Sequence, residues 1–204
     1  MSSRLGLYGG SFDPIHFGHL ISARAIAEQV GLERVVLIPA SRPPHKSGRN
    51  MTSVEHRLAM ARLAVEGDPL FEVSDIESLR AGPSYTIDTV DHYRRIHGDA
   101  AEIIWIIGAD TLPDLAGWHR VRELVERVRF VAATRPGWRQ PDVSSLRSVV
   151  GDAAVARLLA DCRPTPEIDI SATNIRDRVR ERRSVRYLSP DRVVAYIERE
   201  GLFR

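Results

Sequence analysis

The chain has 204 residues, of which 43% are hydrophobic and 27% charged, with a formal net charge of +2. That is the composition of an ordinary globular protein with enough length to bury one substantial core. No apolar run is long enough to span a bilayer and no secretory apolar region opens the chain, so a soluble, cytoplasmic protein without a membrane partner is expected. Cys162 is the sole cysteine, which excludes an internal disulfide and a cysteine-based zinc cluster. So small a net charge does not support a nucleic-acid partner.

Taken in chain order, strand and helix patterns alternate. Residues 4–8 read as a short apolar strand, followed by Gly9-Gly10 and a helix from about 14 or 17 to 30, with Leu20, Ala23, Ala27 and Val30 on one face. Residues 34–38 form a buried strand ended by Pro39, and 54–65 a helix carrying Leu58, Ala61 and Val65. A third strand is expected at 71–73, a helix at 86–96, and at 102–107 a continuous apolar run ending in Gly108, the character of a central parallel strand. A helix at 121–128, a strand at 129–133, weaker helical material at 143–159, a short strand at 167–170 and helices at 172–182 and 190–200 complete the pattern. This βαβα order calls for an α/β fold with a mostly parallel sheet covered on both faces and a helical carboxyl-terminal end. Ligands of such folds sit at the carboxyl ends of the strands. No linker or repeat divides the chain, so a single domain over 1–204 is expected.

The first candidate site is Gly9-Gly10-Ser11-Phe12-Asp13-Pro14-Ile15-His16-Phe17-Gly18-His19. Two glycines let the backbone turn and approach a ligand without a Cβ in the way. His16 and His19, three apart at a helix start, project on the same side of its first turn. Helix amides and the positive end of the dipole join them as an anion site, and Gly18 lets phosphates come close. The Walker A and dinucleotide glycine spacings are both missing. A His-x-x-His pair without a glutamate is a poor metal site.

On these residues the chain resembles the nucleotidylyltransferase superfamily, whose signature is Gly-Gly-x-Phe-Asp-Pro-x-His-x-Gly-His. Further segments look like its bacterial nicotinate mononucleotide adenylyltransferase branch. The resemblance implies a Rossmann-like, doubly wound fold in which His16 and His19 hold the triphosphate of ATP. Ser11 and Phe17 stand where Thr and Tyr are commoner.

Ile170-Ser171-Ala172-Thr173-Asn174-Ile175-Arg176 is the second motif. By residue type Ser171 caps a helix, while Thr173 and Arg176 can reach back towards anions gathered at its start. The motif is similar, residue by residue, to the one that clamps the ATP phosphates in this branch, which brings Ser171, Thr173, Ile175 and Arg176 into the expected ATP site. Gly82-Pro83-Ser84-Tyr85-Thr86 opens a helix whose free amides can receive a carboxylate such as that of nicotinate, although a turn with a Ser or Thr cap is the commoner explanation of such a segment in isolation. Gly108 and Asp110 end the central strand, where an acid can accept ribose hydroxyls. The resemblance further implies that His45 and Lys46 lie by the phosphates, that Trp118 packs on the pyridine ring with the amide of the next residue on its carboxylate, and that Arg135 helps hold phosphate. His119 departs from the usual tyrosine.

The implied reaction is transfer of AMP from ATP to nicotinate mononucleotide, a step of NAD biosynthesis, with His16, His19, Lys46 and Arg176 as the catalytic set. Mg2+ would arrive with ATP without a dedicated ligand cluster. The partners are then two small molecules, and an oligomer is left open. Two other readings stand beside it. A pantetheine-phosphate adenylyltransferase shares the first motif but not the later ones. A non-catalytic nucleotide sensor would have favoured loss of a motif histidine or of Arg176.

Overall fold

A computed structural model describes residues 4–43, 51–98, 100–135 and 137–204. Strand β1 (Arg4–Gly10) leads into helix α1 (Phe17–Val30), and β2 (Arg34–Pro39) into α2 (Val54–Val65). Then come β3 (Phe71–Val73), α3 (Thr86–His97) and β4 (Glu102–Gly108). Two short 3-10 turns, Ala109–Thr111 and Pro113–Gly117, precede α4 (Val121–Arg127) and β5 (Arg129–Thr134). The chain ends with α5 (Ser144–Val150), α6 (Asp152–Ala160), β6 (Cys162–Pro164), α7 (Ala172–Arg180) and α8 (Asp191–Glu200). Among the described residues no helix is long and apolar enough to cross a membrane.

The strands form one sheet in the order β3-β2-β1-β4-β5-β6, and every neighbouring pair is parallel. Strand order reverses between β1 and β4, so a crevice opens at their carboxyl ends. The run at 102–107 is apolar throughout because β4 is buried on both sides. Ile103, Trp105 and Ile107 pack under α3, α4, α5 and α6, while Ile104 and Ile106 face α1, α2 and α8. Gly31 takes φ 68° at the end of α1, and the amide of Leu32 donates back to the Ala27 carbonyl at 2.9 Å, a left-handed stop that turns the chain into β2.

Several boundaries differ from those expected of the sequence, and β1 runs on through Gly9 and Gly10, which pair with Ile38 and Pro39 instead of turning. Residues 167–170 are not a strand; the sixth strand is β6, whose Cys162–Pro164 pairs with Ala132–Thr134. The Thr165 amide makes the last bond to β5, at 2.9 Å to the Thr134 carbonyl, and Pro166 has no N–H with which to continue. Ile168 and Ile170 instead line the crevice. The helical material at 143–159 is broken into α5 and α6 by Gly151, at φ 84°. Helix α7 ends at Arg180, and Arg182 beyond it adopts φ 56°.

Candidate active site

The crevice encloses about 730 Å³, and the starts of three helices reach it: Gly18 and His19 of α1, Thr86 of α3, and Ala172 and Thr173 of α7. The first amides of a helix lack intrahelical acceptors and carry the positive end of its dipole, so all three elements favour negative charge in one space.

His16 is the residue just before α1, 5% exposed, and its ring stacks on that of His19 with centroids 3.7 Å apart. The His16 amide donates to Nδ1 of His19 at 3.3 Å. An acceptor Nδ1 carries no proton, so His19 is the neutral tautomer with its proton on Nε2. Burial, and then the charge of Arg135, push His16 down from 6.5 to about 4. Held down in this way, the His16 ring is neutral at pH 7, so the stacked pair is not a pair of cations. The His16 Nδ1 atom is buried without a partner.

The motif glycines are required by packing inside the protein. A Cβ on Gly9 would lie 2.6 Å from the Trp105 ring, one on Gly10 2.9 Å from the Phe12 ring, and one on Gly18 3.0 Å from the His16 ring and 3.3 Å from the Ile170 carbonyl. The His16 ring thus lies where a Gly18 Cβ would point, while Gly18 itself lines the crevice. Phe12, 1% exposed, adopts φ 47°, with its ring tucked against Gly10. At the end of β4, a Cβ on Gly108 would run into Asp110 Oδ1, so glycine makes room for that carboxylate to fold back on the strand.

At α7 the Ser171 hydroxyl accepts the Asn174 amide at 3.1 Å, the cap expected from its residue type. Arg176 donates to Thr173 Oγ1 at 3.1 Å and to the Asp13 carbonyl at 2.7 Å, so the second motif braces the first. The Ile175 side chain is 0% exposed in a small apolar cluster with Val185 and Val194, and it anchors α7.

Ser11, Ser84, Tyr85, Thr86, Asp110, Trp118, His119 and Arg135 all line the crevice, whereas His45 and Lys46 lie outside the described residues. The Ser84 hydroxyl accepts the amides of Ser41 and Arg42 at 3.1 and 3.0 Å, so it ties the loop after β2 to the start of α3. Trp118 serves both as core and as wall: it packs against the apolar cluster, edge-on to Phe130, and borders the crevice. The His119 ring stacks on Tyr85 at 4.1 Å, which gives the departure from tyrosine a place as half of an aromatic pair.

The Cytidylyltransferase-like family model matches residues 7–178. A probable nicotinate-nucleotide adenylyltransferase of Thermomicrobium roseum is 43% identical over 202 residues, covering 99% of this chain and 92% of the relative. One from Roseiflexus sp. strain RS-1 is 43% identical over 204 residues, covering 100% and 99%. The chain belongs to the cytidylyltransferase-like family, among the nicotinate-nucleotide adenylyltransferases. Its fold is that of the Plasmodium falciparum nicotinic acid mononucleotide adenylyltransferase complexed with NaAD, with a TM-score of 0.75 at 16% identity over 98% of this chain and 97% of that one.

In this adenylyltransferase family member the crevice also holds residues that pattern reading passed over. Tyr8, on β1, has its phenol pushed up to about 12, first by burial and then by Asp110. Glu77 is 5% exposed, accepts from the Thr89 hydroxyl at 2.9 Å and keeps a second oxygen buried without a partner; burial raises its carboxyl above the usual range. Asp13, 5% exposed, likewise holds Oδ1 buried and unpaired. Asp13 stood inside the first motif and was legible there, but Glu77 lies in a turn without any local pattern. Among the described residues no group of three or more His, Cys, Asp or Glu side chains could hold a metal.

Proposed function

We propose that the chain, acting as one nucleotidylyltransferase domain over 1–204, transfers AMP from ATP to nicotinate mononucleotide and releases pyrophosphate in the cytoplasm. One observation carries this reading. A single crevice brings the His16–His19 pair and Arg176 together with the α3 start and Trp118. The first group suits a polyphosphate, and the second suits an aromatic ring bearing a carboxylate.

The 5′-phosphate oxygen of the mononucleotide forms a bond to the α-phosphorus of ATP while the α–β bridging bond breaks and pyrophosphate departs. No protein nucleophile is needed, so catalysis rests on positioning and on stabilising charge. His19 Nε2–H and the His16 imidazole donate to phosphate oxygens without bringing charge of their own. Arg176, already fixed on Asp13 and Thr173, offsets the charge of the departing pyrophosphate together with Lys46, and His45 and Lys46 serve in binding the mononucleotide. Gly9, Gly10, Ser11 and Phe12 shape the wall against ATP, Gly108 and Asp110 receive the ribose hydroxyls, and Ser171 and Thr173 present the α7 start. On the acceptor side, Ser84, Tyr85 and Thr86 present the α3 amides to the nicotinate carboxylate, Trp118 with His119 holds the ring, and Arg135 the phosphate.

Mg2+ binds phosphate oxygens and water with one or two carboxylates rather than a protein cage. The crevice offers Asp13, whose buried Oδ1 is unpaired, and no ligand cluster among the described residues, a donor set that fits a metal arriving with ATP. Bound there, Mg2+ supplies charge neutralisation at the phosphates. The test is pyrophosphate release with ATP and, in turn, nicotinate mononucleotide, nicotinamide mononucleotide and phosphopantetheine. Nicotinate mononucleotide should turn over fastest, and faster turnover of phosphopantetheine would overturn the choice of acceptor.

A further inference from the structure

Arg57, on α2, is one of the largest fully buried side chains, at 1% exposure. Burying a guanidinium costs several kcal/mol unless its donors and its charge are both met. Here the donors go to backbone carbonyls of three different segments. Nε donates to Thr52 at 2.8 Å, while Nη1 donates to Ser11 at 2.9 Å and to Ala40 at 2.7 Å. Asp13 and Glu77, each 5% exposed, favour the charge through space.

Two of these carbonyls, those of Ser11 and Ala40, belong to the two loops that carry the two halves of the crevice. Ser11 stands in the loop after β1, which leads to Asp13 and His16. Ala40 stands in the loop after β2, whose Ser41 and Arg42 amides are held by the Ser84 hydroxyl at the start of α3. The chain of bonds continues on the phosphate side: the Thr52 amide donates to Asp13 Oδ2 at 3.4 Å, and Arg176 donates to the Asp13 carbonyl. Beyond the last ladder bond between the strands, Ala40 amide to Gly10 carbonyl at 2.8 Å, the guanidinium spans the gap between the loops.

We infer that Arg57 is a positioning residue for adenylyl transfer, holding the phosphate-side loop and the acceptor-side loop at the separation that aligns the two substrates. This rests on the reading of the crevice as a two-substrate site. Arg57 touches neither substrate, and each substrate keeps its own contacts when Arg57 is removed. What is lost is their mutual alignment, for which a displacement of about 1 Å costs about 100-fold in rate.

The experiment compares wild type, Arg57→Met and Arg57→Lys well below their melting temperatures. It reads kcat, the Kd of a non-hydrolysable ATP analogue and the Kd of nicotinate mononucleotide alone. Arg57→Met should lower kcat about 100-fold while each Kd moves less than about threefold. Arg57→Lys keeps the charge but lacks a planar fork to reach all three carbonyls, and should recover about tenfold of that loss. A folded Met variant with wild-type kcat overturns the proposal. So does a loss found in the separate Kd values rather than in kcat. If the Met variant does not fold, the Lys variant decides alone, with a kcat about tenfold below wild type expected and an unchanged kcat refuting the proposal. Should the wild type prefer another acceptor, the reading of the acceptor fails while the Arg57 comparison, run with that acceptor, still stands or falls by the same numbers.

Discussion

Protonation of His16 should make folding stability fall with acid in a way that one substitution removes. In the folded chain the imidazole is held at about 4 by burial and by Arg135, against 6.5 in its ordinary state. Between those values the unfolded chain binds the proton and the folded chain does not, so stability present at neutral pH is lost as pH falls through the window. At 1.36 kcal/mol per pH unit the difference amounts to about 3 kcal/mol by about pH 4. Urea unfolding of wild type and His16→Asn, each at about pH 7 and about pH 4, isolates it, because asparagine does not titrate and the carboxylates common to both proteins cancel. The wild type should lose about 3 kcal/mol more than the variant. Parallel losses in the two proteins would refute the buried neutral imidazole of His16.

Replacing His19 by alanine removes the Nε2 donor but no buried core group, so pyrophosphate release should fall about 100-fold or more with a melting temperature close to that of wild type. Near-normal turnover would remove His19 from the phosphate site. Gly18→Ala places a methyl 3.0 Å from the His16 ring, which must shift. A turnover loss of about tenfold is expected, and an unchanged rate would show that His16 tolerates the displacement. Trp118→Ala should raise KM for nicotinate mononucleotide about tenfold and leave that for ATP nearly unchanged, since the indole borders the crevice on the acceptor side; equal rises in both constants would contradict that placement.

Most of the sheet was legible because β1, β2, β4 and β5 are apolar enough to be buried and are bounded by turn residues. Glu167-Ile168-Asp169-Ile170 misled because its alternation is that of an edge strand, yet Pro166 interrupts the backbone bonding and the isoleucines are needed in the crevice. The two motifs announced His16, His19, Ser171 and Arg176 since these sit at helix starts, where spacing in sequence becomes adjacency in space. Arg57 and Glu77 gave no such signal. Their partners, Ser11, Ala40 and Thr52 for one and Thr89 and Ser84 for the other, meet them through the tertiary fold. For the glycines, residue type pointed to close approach, and the protein atoms approached belong to Trp105, Phe12, His16 and Asp110.

The central claim is that the α-phosphate of ATP, with its nucleoside, passes to the phosphate of nicotinate mononucleotide. ATP labelled in the α-phosphate tests it directly, with the products separated after incubation with that acceptor and Mg2+. The label should appear in a dinucleotide whose mass equals nicotinate mononucleotide joined to AMP, and the released pyrophosphate should carry none. Label confined to ATP or AMP, with the mononucleotide unconsumed, would contradict the account.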